Sequence, residues 1–169
     1  MRNLMGIDPG PKSSALVIWD GQRVVFSDLA PNRDIQDLVR RYARMEDTVS
    51  TRSERPTHFA IEVIRGAWGG GAGTELFDTA LWSGIFIGEW LAAGRPCNSV
   101  APLSRTKIRV HLCGTQNSGD KEIVAVLKKR IPGITGIATH KWQALAVAVA
   151  VDDRLRCGVT GKEDELLCA

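Results

Sequence analysis

Two rhythms of apolar and polar residues run along this chain, a period near two at the start and a helical period further on. Leu4-Met5-Gly6-Ile7-Asp8 is a short apolar run that ends on a carboxylate and breaks at Pro9-Gly10. A buried strand that delivers Asp8 to a sheet end has this form. Taken alone, the same residues also describe a plain Asp-Pro-Gly turn. Ser13 to Trp19 reads as a second strand, and Asp20-Gly21 is the two-residue turn that joins it to a third, Arg23–Leu29. Ile35, Leu38, Val39 and Tyr42 then recur at helical spacing with Arg40, Arg41 and Arg44 between them, which predicts an amphipathic helix from about Asn32 to Glu46. After a polar surface loop, Thr48–Pro56, the run His58 to Ile64 is a strand in which Glu62 interrupts apolar residues. A carboxylate inside a central strand is costly unless it is paired, hydrogen-bonded or metal-bound. On an edge strand it would simply face water.

The second half is mostly helical. Arg65 to Gly73 is a glycine-rich loop carrying Trp68, which either folds back on the core or stacks on a partner. Thr74 to Ala93 is a long helix with two apolar stripes. Phe77, Leu81, Ile85 and Leu91 are expected to face the sheet. Trp82, Phe86 and Trp90 form the second stripe, which predicts an interface with a partner subunit that Gly84 and Gly88 let come close. Asn98–Ala101 is a further strand, and Ser104 opens a basic helical turn with Arg105, Lys107 and Arg109. Asp120 to Ile131 is a helix stopped by Pro132-Gly133, and a last helix runs from Thr139, the expected N-cap, to Arg156 and Gly158. His140 and Gln143, three apart, share one face of its first turn.

A length of 169 residues allows one domain with a sizeable core, taken as residues 1–158, followed by a short acidic and mobile tail at 159–169. Apolar residues at 44% and charged residues at 24% are ordinary for a globular protein, which argues against disorder. No stretch has the length of a membrane span or a secretory h-region, so the expected location is the cytoplasm and no membrane contact is expected. The four cysteines show no Cys-x-x-Cys spacing, which signals neither a zinc site nor a disulfide framework and leaves them as expected thiols. Net charge is only +3, yet between Arg95 and Lys141 nine Lys or Arg stand against Asp120 and Glu122 alone. Such clustering suits a polyanion, and a solvated basic face is the plainer alternative.

Gly6-Ile7-Asp8-Pro9-Gly10, Ala60-Ile61-Glu62 with the glycine loop and long helix after it, Asp120-Lys121, and His140-x-x-Gln143-Ala144-Leu145-Ala146 form an ordered set. It resembles the RuvC-type Holliday-junction resolvases of the ribonuclease H-like nuclease superfamily over about Leu4 to Val151. The resemblance implies an α/β fold with a mixed central sheet, its first three strands antiparallel and helices on both faces. It also implies phosphodiester hydrolysis with two Mg²⁺ per active site, Mn²⁺ being a possible substitute, in which one ion activates water and the other stabilises the leaving oxygen. By motif match, Asp8 would bridge the metals, Glu62 would bind one, and His140 and Gln143 would face the other.

The family pattern has two acidic positions at the last helix, with His accepted at the first. Gln143 therefore departs from it and offers a neutral, weaker ligand for a hard cation. Asp152 and Asp153 lie about three turns further on, roughly 15 Å or more along the axis, too far to substitute. Lys121 joins Asp8, Glu62 and His140 as an expected catalytic group, and Lys107 and Lys121 fall where family members carry lysines near the phosphate. Expected DNA contacts are Arg65, Trp68, Arg105, Lys107, Arg109, Lys121 and Lys141, Arg65 standing nearest the position of the family's wedging aromatic. The implied protein is a homodimer that cuts four-way or other branched DNA by paired nicks. Gln143 motivates an alternative, a junction-binding protein with weak or no cleavage. An actin-like ATP-binding domain, which shares an Asp-x-Gly turn after its first strand, is disfavoured because the chain is short for two lobes and has no second such turn.

Overall fold

The structure, a computed structural model, describes residues 3–45, 55–64 and 73–158. Five strands make one sheet: β1 (Leu4–Asp8), β2 (Ser13–Trp19), β3 (Val24–Pro31), β4 (His58–Val63) and β5 (Val100–Ser104), in the order β3-β2-β1-β4-β5. β1, β2 and β3 pair antiparallel, whereas β4 lies parallel to β1 and β5 parallel to β4. The hairpin at Asp20 closes through backbone N–H groups of Gln22 and Arg23 donating to the Asp20 carboxylate, with Gly21 at φ 93°. Pro102 is tolerated in β5 because that strand is the sheet edge.

The alternation of side chains along β1 sorts the core into two halves. Met5 and Ile7 join Leu16, Ile18, Phe59 and Ile61 on the face covered by α1 (Asn32–Ala43) and α2 (Thr74–Ala92). Leu4 joins Ala15, Val17, Ala60 and Leu103 on the opposite face, covered by α3 (Arg105–Cys113), α4 (Asp120–Arg130) and α5 (Thr139–Arg156). α5 is buried almost throughout its Ala-Val run, as its length and Ala content predict for a helix laid on the sheet. Gly6 is what lets it come so close. A Cβ there would collide with the Ala144 carbonyl oxygen and stand 2.8 Å from the Ala148 methyl.

The interface expected from Trp82, Phe86 and Trp90 is corrected by the packing. Phe86 and Trp90 are fully buried in the chain's own core, with Trp82 packed partly against it. Trp90 stacks on Phe59 at 5.4 Å between centroids and donates its indole N–H to Ser99 Oγ at 2.8 Å. Phe77 and Leu81, expected to face the sheet, are each 61% exposed. The physical reason is the floor beneath α2, where Phe59 on β4 and Val100 on β5 offer a flat apolar bed to the larger rings.

Smaller differences also have causes. The last strand is Val100–Ser104 and not Asn98–Ala101, because a 3-10 turn at Cys97–Ser99 uses the earlier residues. α5 has Ala138 at its N-cap, and Thr139 is already helical. Cys113 and Cys157 are free thiols, as expected. Among the described residues no helix is long and apolar enough to cross a membrane.

Candidate active site

The parallel register Ile7↔Ile61 places the next residue of each strand, Asp8 and Glu62, on the opposite face from those isoleucines. Both carboxylates therefore rise on the α5 side, where the two parallel strands end. The chain after Asp8 is held by a partly buried ring of hydrogen bonds. Gly10 N–H donates to Ser14 Oγ at 3.2 Å, the Ser14 hydroxyl donates to Asn32 Oδ1 at 2.6 Å, and Asn32 Nδ2 donates to the Gly10 carbonyl at 3.0 Å. The turn is thus rigid and Asp8 is fixed at its mouth. The first turn of α5 faces the same place, with His140 Nδ1 3.2 Å from Asp8 Oδ2.

Glu62 meets an unexpected partner. Arg105, the first residue of α3, directs Nη1 to Glu62 Oε2 and to Gln143 Oε1, each at 2.9 Å. Its Nη2 lies 3.7 Å from Asp120, and Arg109 stands 3.8 Å from the other oxygen of the same carboxylate. Ser104 sets the start of α3 by accepting from Lys107 N–H, so the position of Arg105 follows from where β5 ends. Arg105, expected on the DNA-facing surface, points into the acidic cluster. Asp120, of the Asp120-Lys121 motif, belongs to the cluster through Arg105 and Arg109. Its cue was its place as the first residue of a helix beside Lys121.

The electrostatics are those of an acidic pair short of positive charge. Burial pushes the Glu62 carboxyl up to about 7, Asp8 adds to the rise, and Arg105 opposes it without cancelling it. Burial likewise raises Asp8, against the pull of Arg105 and His140. Two buried, hard oxygen donors with unmet negative charge suit a divalent cation such as Mg²⁺, which would be held by Asp8 and Glu62 with His140 at their edge. Among the described residues no three His, Cys, Asp or Glu side chains are gathered closely enough to form a complete metal site.

A cavity of about 340 Å³ opens beside this pair, lined by Arg105, Asp120, Lys121, His140, Trp142 and Gln143 among others. Lys121 is thus brought to the site. Lys107 is not in that lining. It lines a separate apolar groove with Leu103, Val110 and His111. Lys141 reaches back to β3, donating to the Ser27 carbonyl at 3.3 Å. Arg65 and Trp68 lie outside the described residues, as does the tail at 159–169. Asp152 and Asp153 are occupied elsewhere, the first by the Trp19 indole and Arg156, the second by His111 and Arg130.

This topology recurs in solved structures. Thermus thermophilus RuvC in complex with a Holliday junction substrate superposes with a TM-score of 0.69, covering 94% of this chain and 97% of that one at 18% identity. The chain has the fold of a RuvC-type resolvase. A second Thermus thermophilus RuvC structure agrees, with a TM-score of 0.65 over 92% of this chain and 96% of RuvC, also at 18% identity. The α/β class and the mixed sheet with its first three strands antiparallel, which the resemblance implies, are present, and the match spans nearly the whole of both chains. No family model matches the sequence, and no curated protein does.

Proposed function

We propose that this chain is a divalent-metal-dependent endonuclease that resolves four-way or other branched DNA junctions by hydrolysing phosphodiesters. The observation that carries the reading is the side-by-side presentation of Asp8 and Glu62 at the end of two parallel strands, beneath the first turn of α5. Support comes from the fold, whose match to a RuvC solved with a Holliday junction spans almost both chains.

Asp8 and Glu62 would hold Mg²⁺, which when bound supplies an activated water and a counter-charge for the reacting phosphate. The chain's own groups do the rest. Asp8 is fixed by the Gly10–Ser14–Asn32 ring and needs no reordering when substrate arrives. His140, whose side chain is 65% exposed, stands at the rim in contact with Asp8, where it orients that carboxylate. Lys121 lines the adjoining cavity and places an ammonium where a DNA phosphate would lie. The junction-binding alternative without cleavage has less in its favour, because both principal carboxylates are in position.

Paired nicks require two copies, and the homodimer is proposed with a corrected surface. Phe77 and Leu81 are exposed on α2, and the space over Gly84 and Gly88 is open. A second chain would bury those two side chains and approach the helix closely at the glycines. The test of the function is nicking of a synthetic four-way junction. Wild-type protein with Mg²⁺ should cut opposing strands, and Asp8→Asn should lose cleavage by 10³-fold or more, roughly the loss expected for an essential group, while still shifting the junction in a gel. Full cleavage by Asp8→Asn would remove the site assignment, and absence of wild-type cleavage on junctions would remove the activity.

A further inference from the structure

We propose that the Arg105 guanidinium is a resident cation that engages Gln143, the α5 side chain expected to face the second divalent ion, so that each site loads one ion. This deepens the metal-dependent reading above and rests on it. The geometry is specific. One nitrogen of Arg105 lies 2.9 Å from Glu62 Oε2 and 2.9 Å from Gln143 Oε1, bridging the strand and the helix through a single donor atom. A second divalent ion held by Gln143 Oε1 would need that oxygen at about 2.0–2.1 Å and would have to compete for it with the guanidinium.

Charge leads to the same place. Asp8 and Glu62 carry two negative charges when ionised, and Arg105, always protonated, returns one positive charge. The one negative charge left over serves one divalent cation and not two. Asp120 does not alter the count, since Arg109 approaches it at 3.8 Å from the far side while Arg105 approaches at 3.7 Å. The residue types agree as well. An amide oxygen is a good acceptor for a guanidinium N–H and a poor ligand for a hard cation, so Gln143 suits Arg105 better than it suits Mg²⁺. Arg105 is positioned by the Ser104 cap and is one-third exposed, at 32%, with the cavity shared by Lys121 on its open side. Its bridge leaves further N–H groups free to face a phosphate oxygen, which a second metal ion would otherwise have neutralised.

The experiment counts ions with the metal alone. Mn²⁺ is titrated by electron paramagnetic resonance and by calorimetry into the full chain without DNA, at a pH near 8. The wild type should bind one Mn²⁺ per chain. Gln143→Asp should also bind one, because Arg105 pairs the new carboxylate. Combining Gln143→Asp with Arg105→Met should add a second ion. Arg105→Met alone should still bind one, at least tenfold more tightly, because a competing charge is gone. Two ions in the wild type, or a second ion in Gln143→Asp with Arg105 retained, would overturn the inference while leaving metal dependence intact. No Mn²⁺ binding by any variant would overturn both. If the double variant fails to fold, the wild type and Gln143→Asp decide the matter by the same count.

Discussion

Neutralising Glu62 should make the metal-free protein more stable at alkaline pH, even though it destroys the proposed metal site. Glu62 has its carboxyl raised from 4.5 to about 7 by burial and by Asp8. The folded state therefore holds a proton that the unfolded chain has released between those two values, and stability must fall as pH rises through that window. At 1.36 kcal/mol per pH unit, the full effect above pH 7 is about 3 kcal/mol. Glu62→Gln mimics the protonated form and keeps an oxygen for Arg105, so it should recover most of that loss. For a chain of this size that is ~6–12 °C in melting temperature at pH 8 and little change at pH 5. Glu89 and Asp153 have lowered values, so their contributions are lost only as pH falls below the ordinary carboxylate range, outside the window. Asp8 is raised and adds a slope of the same sign as Glu62 in both proteins. The assay is thermal denaturation of chelator-treated wild type and Glu62→Gln from pH 5 to pH 8. Saturating Mg²⁺ should close the gap by stabilising the wild type alone, by about 2.7 kcal/mol at a hundred times the dissociation constant. Parallel curves for the two proteins across the whole range would refute the buried, charge-starved description of Glu62.

Junction affinity should fall steeply with salt, by roughly 10³-fold between 50 and 200 mM if about six phosphates are contacted. A flat response in fluorescence anisotropy would count against a DNA-backbone partner. Trp90→Ala should lower stability by about 3–5 kcal/mol in denaturant melts without a change in molar mass, since Trp90 belongs to the chain's own core. Leu81→Glu should instead halve the molar mass seen by light scattering and leave the melt of the single chain nearly unchanged, its side chain being exposed there. A dimer that survives Leu81→Glu would place the contact elsewhere.

Element types and approximate bounds were largely legible because burial imposes its period on the sequence. β1, β2 and β4 each show the run that a buried strand needs, and α1 shows one clean apolar stripe. α2 was not legible in the same way. It is apolar nearly all round, so its pattern says that two sides want cover and not which side lies on the sheet. The answer sits in other elements: Phe59 below Trp90, Ser99 at its indole, and Arg95 with its guanidinium 4.9 Å from the Trp90 ring. One local cue existed. Glu89 is on α2 beside Trp90, and the pair it makes with Arg40 and Gln36 requires that flank of the helix to meet α1.

The site divides along a similar line. Asp8 and Glu62 could be found because each breaks an apolar run, and a charge in such a place needs a reason. Arg105 could not, because a long side chain at the start of a helix can serve solvent, DNA or the core with the same sequence around it. Its neighbours Lys107 and Arg109 made it look like one of a basic surface series, yet the three point to different places: the acidic pair, a separate groove and the flank of Asp120. Gln143, seen alone, is a lost carboxylate and a weakened metal site. Placed against Arg105 it becomes half of a pair, since a carboxylate at that position would be drawn to the guanidinium and would not be free to bind metal. A reversal of one member without the other should therefore restore nothing.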